Sequence, residues 1–185
     1  MATIKDPSGV DILGADGLPI YFSLPDTLGS HGYITNVKRS LDKYLFDNIY
    51  TTNNIYVDYQ GLPFSTFPVD EWIQPRIVDI KRTYLRQGSS TQYANKTDIF
   101  YGMFIYVKKG HQTTSDRHYK LKDIIQQYFI YNQKISLYNY VDNGAFVTYM
   151  KVREVDDNGP LQENNNLYSY LIQYRIDFTE LILQV

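Results

Sequence analysis

The side chains best suited to chemistry are three histidines, His31, His111 and His118, and an acidic group formed by Asp156, Asp157 and Glu163. A histidine binds metal or relays protons when a carboxylate, a cysteine or another histidine sits at a ligand offset from it. None does here: a predicted loop separates His111 from His118, and His31 lies in a glycine- and proline-rich stretch. The chain has 0 Cys, which removes disulfides, thiolate zinc sites and a cysteine nucleophile. Asp156, Asp157 and Glu163 sit among Asn and Gly, where carboxylates ordinarily serve solvated turns. There is no P-loop, dinucleotide fingerprint, nucleophile elbow or HExxH, and Gly29-Ser30-His31-Gly32 lacks the preceding strand that a phosphate cradle needs. Asn95-Lys96-Thr97 matches a glycosylation acceptor, but the opening stretch has neither the charge nor the apolar run of a secretory signal, so the match reads as chance. The expectation is no catalytic residue, no cofactor and no metal, and replacing the three histidines by alanine is expected to leave the fold largely intact.

With chemistry this sparse, the elements carry the information. Residues 1–33 hold Pro7, Gly9, Gly14, Gly17, Pro19, Pro25, Gly29 and Gly32, and read as an extended N-terminal arm. Its short apolar pieces, including Ile12, Leu13, Ile20, Tyr21 and Phe22, are suited to packing on the arm's own domain or on a neighbour. Residues 34–185 read as one domain. Ile34, Val37, Leu41, Tyr44, Leu45 and Ile49 recur at helical spacing, predicting a helix over 35–48 capped by Thr35 or Asn36. A short strand over 55–59 follows, then a proline-bearing loop, then a strand over 72–85 whose Pro75 belongs at a sheet edge or a bulge. Residues 87–97 read as a polar hairpin connection. In the strand over 98–108 both alternating sets are apolar, which predicts cover on both faces, helices on one and a partner on the other. A second helix begins after Ser115 with Tyr119, Leu121, Ile124, Ile125, Tyr128 and Phe129 on its buried face. Strands over 135–141 and 145–155 flank a turn at Asp142-Asn143-Gly144. Residues 156–166 read as a second polar connection, and a strand over 167–183 carries Tyr168, Tyr170, Ile172, Tyr174, Ile176 and Phe178 on one side. The order predicts an α+β fold: an antiparallel or mixed β-sheet with two helices packed on one face.

The chain's 185 residues suit one domain that buries roughly 70% of its unfolded surface without staples. Lys+Arg 18 against Asp+Glu 20 gives a net charge of -2, which offers no general attraction for phosphate backbones. No stretch approaches the ~20 apolar residues of a membrane span, so no membrane partner is expected. The distinctive feature is 16% aromatic residues, with 19 Tyr against 9 Phe and 1 Trp. Tyrosine joins a large contact area to a polar tip. Three readings remain open at this point: a β-rich fold with half-buried tyrosines, a sheet face that meets another protein, and a sheet that stacks single-stranded nucleic acid.

Several pieces carry a family resemblance: the first helix, the strand containing Trp72-Ile73-Gln74-Pro75-Arg76-Ile77-Val78, the strand containing Tyr101-Gly102-Met103-Phe104-Ile105-Tyr106-Val107, Lys109-Gly110, and the helix around Leu121, Ile124 and Ile125. Over about residues 34–183 this layout resembles the tail terminator (tail completion) proteins of long-tailed bacteriophages, or a closely related neck protein. The resemblance implies a non-enzymatic virion component made in the host cytoplasm. Such proteins form rings, typically hexamers, that bind the last ring of the tail tube protein and stop its polymerisation. They also present a surface to the head–tail connector protein, with genome DNA free to pass through and no sequence-specific nucleic-acid binding. On that reading the tube or connector contacts are Arg86, Gln87, Gln92, Tyr93, Lys96, Asp156, Asp157, Gln162 and Glu163, with solvated hairpin ends as the plain alternative. Ile12, Leu13, Ile20, Tyr21 and Phe22 would strap the arm over a neighbour.

Overall fold

The computed structural model describes residues 2–3, 21–22, 33–63, 69–86, 92–110, 116–140, 144–161 and 166–183. The chain is an α+β protein. Within the arm, β1 (Ala2–Thr3) pairs antiparallel with β2 (Tyr21–Phe22). The domain then runs α1 (Tyr33–Leu45), a π-helical turn (Phe46–Tyr50), α2 (Thr51–Asn53), β3 (Tyr56–Val57), β4 (Glu71–Arg86), β5 (Gln92–Lys108), α3 (Arg117–Tyr128), β6 (Lys134–Asn139), β7 (Ala145–Pro160) and β8 (Leu167–Leu183). β3 to β8 form one sheet in the order β3-β4-β5-β8-β7-β6. β3 is parallel to β4 and every other pairing is antiparallel.

The first helix is longer than its predicted 35–48, because α1, the π turn and α2 run on as one rod. Val37, Leu41, Leu45 and Ile49, all fully buried, recur every four residues. Four residues overshoot a turn of 3.6, and one widened π turn takes up the overshoot and keeps Ile49 over the core. Asn54, at φ 54, ends the rod in the left-handed conformation that asparagine tolerates. Ile34 is exposed instead of buried. Asn36 does not cap the helix either: its Oδ1 accepts from the Tyr140 N–H at 2.9 Å, its Nδ2 donates to Asn139 Oδ1 at 3.0 Å, and Ser40 Oγ accepts from the Tyr138 N–H at 3.0 Å. The edge of β6 is thereby sealed by α1 side chains.

α3 keeps its predicted face at Leu121, Ile124, Ile125, Tyr128 and Phe129 and differs in its first turn. Its buried residues are His118, Leu121 and Ile125, followed by the fully buried Phe129, while Tyr119 is exposed. The salt bridge from Arg117 Nε and Nη2 to Glu71 Oε2 and Oε1, at 2.6 and 2.7 Å, ties the start of α3 to the start of β4. A two-pronged contact of this kind fixes orientation as well as position. The core lies between the helices and the sheet face carrying Ile99, Tyr101, Met103, Ile105, Val107, Ile172, Tyr174, Ile176 and Phe178.

β3 is shorter than predicted because Pro75 stops its ladder. The Asp58 N–H still bonds Ile73 O at 2.8 Å, but Pro75 has no N–H to answer, and Arg76 Nη1 donates to Asp58 O at 3.2 Å instead. β7 is longer than predicted, continuing through two bulges, at Val152/Glu154 and Asp157/Gly159, to Pro160. Gly159, at φ 82, supplies the conformation that the second bulge needs.

Candidate interaction face

Residues opposite one another in a sheet share a face, so the strand registers define the surface away from the helices. One row across it is Gln74, Phe104 and Leu171; the next is Arg76, Gly102, Gln173 and Asp156. A third holds Asp79, Phe100, Arg175 and Glu154. Phe100, Phe104, Tyr106 and Leu171 are half-buried, and Val78, extruded at the β4 bulge, is 56% exposed. Trp72 stacks on Tyr106 with ring centroids 5.2 Å apart. A Cβ at Gly102 would lie 3.3 Å from Val78 and 3.5 Å from Phe104, so glycine lets those side chains close over the strand. Among the described residues, both helices pack on the opposite face.

Beside this apolar half runs a row of charge: Lys81, Asp98, Asp177, Lys151 and Lys134, one from each of five adjacent strands. Asp98 and Asp177 face each other and are nearly buried, an arrangement that costs energy unless cations answer it. Lys96 Nζ reaches both, at 3.3 and 3.4 Å; Arg175 Nε holds Asp98 at 3.0 Å, and Arg153 Nε holds Asp177 at 2.8 Å. Arg175 also binds Glu154 at 2.7 Å. Donating these hydrogen bonds to Asp98 and Asp177 raises the guanidinium pKa values of Arg175 and Arg153 further.

Of the sequence-predicted contact residues, Lys96 belongs to this charged group. Arg86, Gln92 and Tyr93 are strand residues, not loop residues: Arg86 pairs with Tyr93, and Gln92 with Leu183. Asp156 and Asp157 also lie in a strand, β7. Asp157 is not a solvated turn carboxylate; it accepts from the Tyr170 hydroxyl and from Lys122 Nζ, the latter at 2.9 Å. Burial works against its ionisation, but the bonds from Tyr170 and Lys122 outweigh it and hold its pKa below the usual carboxylate value. Tyr21 and Phe22 pair in β2. Gln87, Gln162, Glu163, Ile12, Leu13 and Ile20 lie outside the described residues, as do His31 and His111.

The tyrosines divide differently from the expectation. The tyrosine-rich side of β8 faces the helices, with Tyr170 and Tyr174 buried, so it packs the core instead of offering a surface. Tyr101 is also in the core, 2% exposed, and burial raises its pKa well above the ordinary value. His118 is wedged between rings, 4.0 Å from Tyr119 and stacked on Tyr168 at 5.3 Å. Sequence reasoning missed Asp98, Arg153, Arg175 and Asp177. The available signal was the pair of i, i+2 repeats, Lys96/Asp98 and Arg175/Asp177, which put charge on one face of each strand.

No family model matches the chain, and no curated protein does. Among solved structures 15 chains match. One is similar with a TM-score of 0.52 and 13% identity, covering 82% of this chain and 97% of that chain. Its name states no activity or partner, and at that identity the likeness shows the fold alone. Among the described residues no helix is long and apolar enough to cross a membrane.

Proposed function

We propose that this chain is a structural subunit that assembles with copies of itself into a ring, typically hexameric. Its place would be the head-proximal end of a phage tail tube, where it stops tube polymerisation and joins the tube to the head connector. The observation that carries this reading is the outer sheet face, where Val78, Phe100, Phe104, Tyr106 and Leu171 form an apolar surface beside a row of charged residues of both signs. An apolar patch rimmed by polar groups is the kind of surface that proteins use to meet one another. The nucleic-acid reading is weaker on two counts. Tyr101 is inside the core and Tyr106 already stacks on Trp72. Lys96, Arg153 and Arg175 are engaged by carboxylates.

The test is the assembly state of the purified chain, alone and with tail tube protein, by light scattering and negative-stain microscopy. Closed rings are expected in at least one condition; monomers in both would overturn the proposal. Fluorescence anisotropy with short single-stranded RNA and DNA in moderate salt should show no micromolar binding. Binding that is lost in Tyr106→Ala would return the nucleic-acid module to first place.

A further inference from the structure

At its β6–β7 end the outer face changes character. Lys134 and Lys151 lie directly opposite each other across these two strands, Lys134 exposed and Lys151 half-buried. Next along, Tyr149 pairs with Ser136, and past a bulge Phe146 pairs with Tyr138. Phe146, Val147 and Tyr149 are 52%, 41% and 45% exposed, Val147 being the extra residue of that bulge. The registers put these side chains on the far side of the charged row from Phe104 and Leu171, so they form a second apolar surface, separate from the first.

The two lysines are short of carboxylates. Asp177, the cross-strand neighbour of Lys151, is held by Arg153 at 2.8 Å and by Lys96 at 3.4 Å, while Asp98 and Glu154 are held by Arg175. On this part of the face five cations, Lys96, Lys134, Lys151, Arg153 and Arg175, meet three carboxylates, Asp98, Glu154 and Asp177, and the two in excess are the facing lysines. Lys134 Nζ rests 5.5 Å from the centre of the Tyr149 ring, a modest compensation at an exposed site. Like charges directly opposite each other work against the strand pairing that carries them, and a carboxylate placed between the two ammonium groups removes that cost. We propose that this surface docks an acidic segment of a partner protein, whose Asp or Glu side chains reach Lys134 and Lys151 and whose apolar residues cover Phe146, Val147 and Tyr149. The segment is read through side chains, because α1 closes the edge of β6 with Asn36 and Ser40. Single-stranded nucleic acid suits the surface less well. Phe146 meets Tyr149 at 59° and Tyr138 at 78°, and Lys134 sits over Tyr149, so the flat ring faces that a base needs are taken. The docking surface stands whether or not the chain forms rings.

The experiment titrates the full chain, by fluorescence anisotropy, into a labelled peptide in which Asp alternates with Leu and Phe. The same peptide with Asn for Asp, and a short oligothymidylate, are the comparisons. The acidic peptide should bind and the other two should not, and its binding should weaken as salt rises. Lys134→Glu/Lys151→Glu should weaken it by about tenfold or more, and Phe146→Ser/Tyr149→Ser should weaken it as well. Lys81→Glu/Lys120→Glu makes the same change of net charge elsewhere and should alter binding by less than about twofold. Circular dichroism checks the fold of each variant; if Lys134→Glu/Lys151→Glu does not fold, Lys134→Gln/Lys151→Gln decides by the same readout, with a smaller loss expected. A wild type that ignores the acidic peptide, an equal loss in the Lys81/Lys120 pair, or a preference for the oligothymidylate would overturn the proposal. So would loss of assembly in Lys134→Gln/Lys151→Gln, which would make the patch a contact between copies. A monomeric wild type that binds the acidic peptide would remove the ring reading alone.

Discussion

Lys96 should matter more to stability than either aspartate it bridges. The two carboxylates of Asp98 and Asp177 stand across adjacent strands, 9% and 7% exposed, and Lys96 Nζ lies 3.3 and 3.4 Å from them. The carboxyl groups can be no further apart than those two contacts laid end to end, so at an effective dielectric near 20 they repel by roughly 2 kcal/mol or more. In Lys96→Met the aliphatic stem is largely kept and the charge is lost, leaving Arg175 and Arg153 one carboxylate each. The expected cost is about 2 kcal/mol, since nearly buried anions cannot turn back to water. Asp98→Asn removes the repulsion itself, and its former partner Arg175 keeps Glu154 at 2.7 Å, so it should cost under about 1 kcal/mol. The double variant should cost less than Lys96→Met alone. The assay is urea unfolding by linear extrapolation, with unchanged m values as the check that only the native state has moved. Asp98→Asn costing as much as Lys96→Met, or a double variant costing the sum of the two, would refute the reasoning.

Tyr174→Phe should be neutral or stabilising by up to about 1 kcal/mol in the same assay, because the Tyr174 hydroxyl is buried with no hydrogen-bond partner; a clear loss would show that the hydroxyl is satisfied. Burial, working against a Gln133 hydrogen bond, pushes the Tyr44 pKa up to about 12. Its folded pKa is therefore above the unfolded value near ~10, so its contribution is complete below that pH and is lost as pH rises toward about 12. The urea midpoint should fall across that window, and less steeply in Tyr44→Phe. His118→Ala should cost about 1–2 kcal/mol through lost ring contacts, against the expectation of a dispensable histidine; an unchanged unfolding midpoint would disprove it.

The parts legible in the sequence are those whose periodicity one environment decides. β8 was expected over 167–183 and spans Leu167–Leu183, because its alternation answers to a single buried face. β5 was readable as apolar on both sides, and Ile99 to Val107 and Phe100 to Tyr106 do divide between core and outer face. On α3 the expected face holds at Leu121, Ile125 and Phe129, with Ile124 and Tyr128 packed against the core, and fails in the first turn, where His118 is polar and Tyr119 aromatic. Burial went to the histidine, whose ring stacks on Tyr168, and hydropathy alone does not see that contact. The polar stretches 87–97 and 156–166 read as loops in the sequence, since Lys96, Asp156 and Asp157 resemble turn residues, whereas 92–97 and 156–160 are strand. In the sheet Lys96 is answered by Asp98 of its own strand and by Asp177 of β8, and Asp157 by Lys122 of α3 and Tyr170 of β8. The charged row is illegible for the same reason: its members come from five strands, and only the registers align them.

Open edges are an aggregation hazard, and this sheet carries the devices that limit it: Pro75 and a bulge on β4, two bulges and Pro160 on β7. Between its bulges β7 offers only 154–157 as regular strand, and β4 is regular from Asp79 onward, so few registers are available to an added strand. The ion pairs act in the same direction: Glu154 is held by Arg175 and Asp157 by Lys122, so these charges of β7 are answered within the sheet and its helix instead of by a passing strand.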